Sequence, residues 1–273
     1  MSQPQGGTSK INPAEAYQRF FVPTIFVPWT PELLKRATPQ TGERVLDVAC
    51  GTGIIARHVA PLIGEEGQVT ALDFSPAMLA VARSLPAPKG ATISWHEGSA
   101  LALPFPAAAF DLVLCQQGLQ FFPDRPAALQ EMRRVLAPGG RVVLSVWQSL
   151  QHNPGHEALL EVAARHLGNP ALMAPFSLGG AIELRTLLND AGFSNVVIEP
   201  VALIIRFPSR EDFVRQSVLA AAAVLPELAQ LDEAGLAALV SAVRQDSDTR
   251  LQGYTEGKGL AFPMAAHIAR AQA

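Results

Sequence analysis

Asp47, Gly51, Gly53 and Asp73 are the residues whose types and spacing could hold a small charged ligand. The two glycines form a Gly-x-Gly bend directly after the apolar run Val45 to Val48, and Ile54 to Leu62 reads as a helix, so the unit is strand, tight turn, helix. Such a turn admits a ligand to contact with the main chain and leaves the first helical N–H groups free for an anion, so a nucleotide-like occupant is expected. Gly51-x-Gly53-x-x-Ala56, with Asp73 lying 20 residues beyond Gly53, also satisfies the dinucleotide fingerprint. Asp47 argues against a dinucleotide. An ionised carboxylate just before the turn would repel a pyrophosphate, whereas it suits a ligand carrying an ammonium and a sulfonium. Its plainer reading is a side chain that ties down the loop by accepting backbone N–H bonds.

Positioning these residues takes a parallel sheet. From Arg44 the chain alternates apolar runs near 44–48, 68–72, 92–96, 111–115 and 141–147 with helices expected to begin near Gly53, Ser75, Ser99 and Asp124, the signature of a sheet covered on both faces. Ser75-Pro76 is a helix cap, and Pro138-Gly139-Gly140 turns the chain from the fourth helix into the fifth strand. Ahead of the sheet, residues 1–10 read as a mobile tail. Two helices follow, one starting at Asn12-Pro13 with Glu15 and carrying Tyr17, Phe20 and Phe21, the other starting at Thr30-Pro31-Glu32. Beyond Trp147 the pattern predicts helices near 156–168 and 180–191, a long strand from Asn195 to Phe207, an Ala/Leu-rich helical stretch from Ser209 to Arg250 interrupted at Pro226, and a last strand around Gly259 to Arg270.

Several of these runs, taken in order, resemble the motifs of the class I S-adenosylmethionine-dependent methyltransferases: Val45 to Gly53, Ala71 to Leu79, Glu97 to Ala100 with Leu103-Pro104-Phe105, Phe110 to Val113, and Leu136 to Arg141. The subgroup they are most similar to contains the ubiquinone and menaquinone biosynthesis methyltransferases. The resemblance covers roughly residues 43 to 147. It implies an α/β, Rossmann-like, doubly wound seven-stranded sheet whose last strand runs antiparallel beside its predecessor. Residues 1–40 would then be tail and cap helices, and 41–273 the methyltransferase domain with 208–255 inserted as a helical lid.

S-adenosyl-L-methionine is the cofactor so implied. In open α/β sheets ligands lie outside the carboxyl ends of the strands, which is where the candidate residues stand. Asp47, Ala49, Gly51 and Gly53 form the turn, Asp73 accepts from the ribose hydroxyls, and Phe74 packs on the adenine. Met78 either joins Phe74 or belongs to the core. Ser99 and Ala100 occupy the place where relatives hold the adenine amino group with an aspartate, and Gln116 and Gln117 the place that lines the methionine moiety. Ser99 departs from that pattern, as does Ala49 where many relatives have glycine. Tyr17, Trp29 and Phe121 are candidates for the acceptor pocket; the alternatives are that the N-terminal helices are ordinary covering layers and that Phe121, with Phe122, wedges the following helix against the sheet.

Methyl transfer from a sulfonium runs largely on proximity and alignment, and a general base is required only where the acceptor loses a proton. His152 is the candidate base, with His156 less well placed; the alternative for His152 is a surface histidine. Asn153-Pro154-Gly155 prevents the two from sharing a helix as a metal pair, so no metal site is expected. His58, His96, His166 and His267 show no partner and read as structural, and Cys50 as a buried spacer.

A formal charge of −3 without a Lys/Arg cluster argues against nucleic acid, and no apolar run reaches the roughly 18 residues of a membrane span. With only two cysteines and no signal-peptide pattern, a cytoplasmic protein is expected. Glu227, Asp232, Glu233 and Asp246 give the lid an acidic polar face, which fits packing rather than membrane binding. The leading expectation is a methyltransferase acting on oxygen, carbon or nitrogen of a small aromatic or lipophilic acceptor. A nicotinamide-dependent oxidoreductase and a non-catalytic binding protein are the alternatives.

Overall fold

Val45, Leu46 and Val48 are shut off from solvent on both faces because their strand, β1 (Arg44–Val48), pairs on each side: with β2 (Gln68–Asp73) and with β4 (Phe110–Gln116). The computed structural model describes residues 12–167, 169–222, 228 and 231–273; the expected tail, the break at Pro226 and Glu227 lie outside them. With β3 (Thr92–Glu97), β5 (Leu136–Trp147), β6 (Ser194–Phe207) and β8 (Gly259–Gln272) the sheet has the order β3-β2-β1-β4-β5-β8-β6, and the two-residue β7 (Thr255–Glu256) pairs with β8. The first five strands are parallel, and β8 runs antiparallel between β5 and β6. Strand order reverses at β1 and β4, which places a ligand crevice at their carboxyl ends.

Helices α3 (Ile54–Ile63), α4 (Pro76–Ser84), α5 (Arg125–Val135) and α7 (Ala181–Asp190) cover the sheet. Ser75 and Asp124 cap α4 and α5 as their types predict, accepting from the N–H of Met78 and of Ala127. No helix begins at Ser99. Its hydroxyl accepts the Leu101 N–H at 3.1 Å and the main chain closes a single bridge from Ser99 to Ala102, a local turn that Pro104 and Pro106 then prevent from propagating.

The N-terminal helices also differ from expectation. α1 (Pro13–Ala16), a π-helical stretch Tyr17–Phe26 and α2 (Val27–Ala37) form one continuous run. Pro23 has no N–H and would clash with the carbonyl four residues back in a regular α-helix, and the wider π turn relieves both problems. Thr30 is therefore no cap: it is buried within the run, and its hydroxyl donates to the Phe26 carbonyl at 3.0 Å.

Arg141 of β5 ties the end of this run to the sheet. It donates to the Ala37 and Thr38 carbonyls and to both oxygens of Glu43, at 2.7–3.0 Å, with each side chain only 13% exposed. Arg141→Ala strips a carboxylate and two carbonyls of their partner and is expected to cost about 2 kcal/mol. In a thermal melt that is a drop of roughly 4–8 °C.

The region between β6 and β8 holds α8 (Arg210–Ala222) and α9 (Glu233–Leu251). Phe213, Val214, Val218, Val243 and Leu251 pack with Phe262 and Met264 of β8 and with Trp29 and Phe21 in a second, aromatic core. Two side-chain contacts fasten α9 to α6 (Pro154–Leu167): the ion pair of Glu161 with Arg250, and His166 Nε2 against the Asp246 carboxylate at 2.9 Å. His166, read as unpartnered from the sequence, thus has an acid from 80 residues away.

Candidate functional site

At the carboxyl end of β1 the chain passes through Ala49 at φ 56°, Gly51 at 55° and Gly53 at 85° before entering α3. These left-handed conformations suit glycine and strain alanine, so Ala49, the departure noted above, holds a conformation that glycine would adopt freely. Asp47 is 1% exposed. One carboxylate oxygen accepts the Ala56 N–H at 3.0 Å, which is the loop-tying role; the other, Oδ1, has no partner. Burial pushes the Asp47 pKa up to about 8, against the pull of the Ala56 bond, with a smaller push from Asp73. The acid read from sequence as ionised is therefore held well above the usual carboxylate range.

Asp73 ends β2 with both oxygens on the main chain, Oδ2 accepting the Gly51 N–H at 2.8 Å and Oδ1 the Ser75 N–H at 2.9 Å. It thereby locks the glycine turn to the second strand. Beside it Phe74 is 79% exposed, while Met78 is half-buried and Ser99 is exposed with its hydroxyl engaged in its own turn. Ala100 is buried in the main core.

Strand register decides which polar groups meet. Asp47 pairs with Leu114, Gln116 lies two residues on, and Gln116 pairs with Ser145, so Asp47, Gln116 and Ser145 share one face of the sheet. Along that face Asp47 Oδ1, both amide atoms of Gln116, Ser145 Oγ and, from the covering helix α2, Trp29 Nε1 are buried without a hydrogen-bond partner. Thr52 Oγ1, between the two glycines, and Gln117 Nε2 and Gln120 Oε1, after β4, are in the same condition, although Gln117 and Gln120 bond each other at 3.1 Å. Buried polar atoms are ordinarily paired, and a concentration of orphans at the carboxyl ends of adjacent strands marks a place built to receive a polar ligand. Ser145, Thr52 and Gln120 were missed in the sequence. Ser145 had a signal, a lone hydroxyl in the apolar run Val142 to Trp147.

Tyr17 is brought to this site. Its ring lies over Gly51, 3.7 Å from where a Cβ would stand, and burial together with the nearby Asp73 carboxylate raises its hydroxyl pKa, keeping it protonated. Trp29 is not brought to an open pocket: it is 1% exposed and packs edge-on against Trp147 at 5.3 Å. Phe121 is 45% exposed beyond β4. His152 is exposed in a short turn before α6, its Nδ1 3.1 Å from Ser149 Oγ, whereas His156 lies in the first turn of α6 among aromatic rings. Among the described residues no group of three or more His, Cys, Asp or Glu is arranged to hold a metal ion, and no helix is long and apolar enough to cross a membrane.

Residues 45–140 match the family model described as a methyltransferase domain. The demethylmenaquinone methyltransferase of Shouchella clausii is 43% identical over 116 residues, 42% of this chain and 49% of that protein. The 2-phytyl-1,4-naphtoquinone methyltransferase of Synechococcus elongatus is 39% identical over 118 residues, 42% of this chain and 51% of that protein. The match to these curated relatives thus spans about half of their length. The resemblance read from the motifs is borne out over the segment that carries them.

Among solved structures, a phosphoethanolamine N-methyltransferase of Haemonchus contortus aligns with TM-score 0.58 at 21% identity over 94% of this chain and 56% of that one. The cyclase SpnF aligns with TM-score 0.56 at 24% identity over 90% of this chain and 79% of that one. Two names with different chemistry on one architecture show that these likenesses establish the Rossmann-like fold alone.

Proposed function

We propose that this protein is an S-adenosylmethionine-dependent methyltransferase that methylates oxygen, carbon or nitrogen of a small aromatic or lipophilic acceptor, in the cytoplasm. The observation that carries the reading is the unpartnered, solvent-shielded Asp47 Oδ1 at the glycine turn, beside the orphaned amide of Gln116. An ammonium there gives Oδ1 the cationic partner it lacks, whereas a pyrophosphate gives it none. When bound, S-adenosylmethionine supplies a methyl group on a positively charged sulfur, activated for displacement.

Asp47, Gln116 and Gln117 would hold the amino-acid end and Asp73 the ribose hydroxyls through its remaining lone pairs. Phe74 would cover the base, while Met78, Ser99 and Ala100 flank it. The turn Ala49 to Gly53 sets the backbone against which these groups are aimed. Tyr17 would close the site from the N-terminal run, and residues 208–255 would roof the acceptor side with their aromatic core. Phe121 would line the acceptor pocket, and His152 would serve as the base for an acceptor that loses a proton. The small-molecule acceptor is supported by the names of the quinone-methylating relatives, and the cytoplasmic setting by the two free, buried cysteines.

Isothermal titration tests the reading. S-adenosylhomocysteine is expected to bind at micromolar concentration or tighter while NADH is silent. The reverse result would transfer the site to the oxidoreductase alternative.

A further inference from the structure

Outside the cofactor crevice the most unusual polar group is His156. Its half-buried ring packs against Phe176 at 5.7 Å, Phe213 at 5.3 Å and Phe262 at 5.7 Å, the last two edge-on, and its Nδ1 is shut off from solvent with no hydrogen-bond partner. A nitrogen left without a partner in an aromatic chamber costs free energy that a leucine there would not. The placement is firmly held. Asn153, fully buried just before α6, donates to the carbonyls of Gln148, Ser149 and Ala265 and accepts the Ala265 N–H, pinning the loop that leads from β5 to His156 onto β8.

A surface cleft lies one ring away from His156. Phe176, one of the rings against His156, also lines a surface cleft of about 520 Å³ together with Ser149, Leu150, Glu157 and Met173. The cleft and His156 both follow β5 on its carboxyl-terminal side, the end of the sheet that carries Asp47 and Gln116.

We propose that His156 orients the methyl acceptor: a flat aromatic ring enters from the cleft past Phe176, and a hydroxyl on that ring exchanges a hydrogen bond with Nδ1. This rests on the methyltransferase reading for its purpose. The aromatic walls supply stacking and edge contacts to any flat ring, so they select shape, and the one nitrogen selects the hydroxyl. A site whose buried polar atom is completed only by a hydroxylated ligand discriminates strongly against the analogue that lacks the group. Burial holds the imidazole pKa at about 4, so at neutral pH the ring is uncharged and one of its nitrogens can accept.

The test uses 2-naphthol and 2-methoxynaphthalene as probes, titrated into the full-length protein saturated with S-adenosylhomocysteine. The parent protein is expected to bind 2-naphthol at least about tenfold more tightly than the ether, a factor one hydrogen bond can supply. His156→Phe, which keeps a ring among the phenylalanines, should erase that preference while leaving S-adenosylhomocysteine affinity unchanged. In the parent, the His156 Nδ1 signal in an imidazole 15N spectrum should move on adding 2-naphthol and stay in place with the ether. This second readout stands even where the variant fails to fold. Binding of neither probe, equal binding of both, or a preference that survives in His156→Phe overturns the proposal. Failure of S-adenosylhomocysteine to bind would instead sink the methyltransferase reading, and the naphthol comparison run without it would still judge His156.

Discussion

Asp47→Asn is expected to flatten the pH dependence of this protein's stability and to abolish its affinity for S-adenosylhomocysteine. The folded chain holds the Asp47 carboxyl at a pKa of about 8 through burial, whereas an unfolded aspartate titrates near 4. A group whose folded pKa is raised contributes stability that is complete below the unfolded value and is lost as pH rises toward the folded one. Without cofactor, the protein should therefore lose stability from this group between about pH 4 and pH 8, on the order of 5 kcal/mol in full. Melting temperatures taken from pH 5 to pH 8.5 should fall in the parent and run nearly level in the variant; parallel curves would remove Asp47 as the cause. Cofactor affinity has the opposite slope. Binding an ammonium at Oδ1 requires the ionised acid, so affinity should climb with pH by up to about tenfold per unit below pH 8 and then level off. The variant offers no negative charge and should show neither the affinity nor the slope. A residue that destabilises the fold in order to receive a charged ligand is a common bargain at binding sites.

Gly53→Ala is expected to cost about 3 kcal/mol, lowering the melting temperature by roughly 6–12 °C. Two effects add. The residue sits at φ 85°, where a Cβ strains the backbone, and that Cβ would lie 2.3 Å from Cη2 and 2.6 Å from Cζ3 of the Trp95 indole. Trp95 has little freedom to retreat, since the Arg57 guanidinium rests 5.4 Å above its ring while donating to the Ala82 carbonyl at the end of α4. The double variant with Trp95→Ala should relieve the collision and leave the backbone term. If instead Gly53 served only to let a ligand approach, the single variant would melt with the parent and lose cofactor affinity alone. The glycine turn is thus filled from both sides by side chains, Tyr17 over Gly51 and Trp95 over Gly53.

The same turn shows where sequence reading succeeds. Val45 to Val48 is apolar and β-branched, Gly51 and Gly53 supply the bend, and Ser75-Pro76 and Asp124 announce their helices, all within a few residues of where the effect appears. β1, α3, α4 and α5 consequently lie where expected, and β8, read from Gly259 to Arg270, extends only to Gln272. Short-range signals fail where a neighbour distant in the chain outweighs them. Thr30-Pro31-Glu32 has every local mark of a helix start, yet the π turn around Pro23 carries the helix through it. Ser99, near which a helix is expected to begin, spends its hydroxyl on a turn.

What the sequence by itself determined is the order of the first five strands with α3, α4 and α5, the acids at the ends of β1 and β2, and the methyltransferase-like motifs between Val45 and Arg141, because each depends on residue types at close spacing. Only the tertiary structure decided that burial raises the Asp47 carboxyl far above its usual range, that Trp29 is walled in by Trp147, that His166 has Asp246, and that Asp47, Gln116 and Ser145 share one face of the sheet. Desolvation and contact are properties of what surrounds an atom, and in this fold those surroundings come from segments tens to more than a hundred residues away.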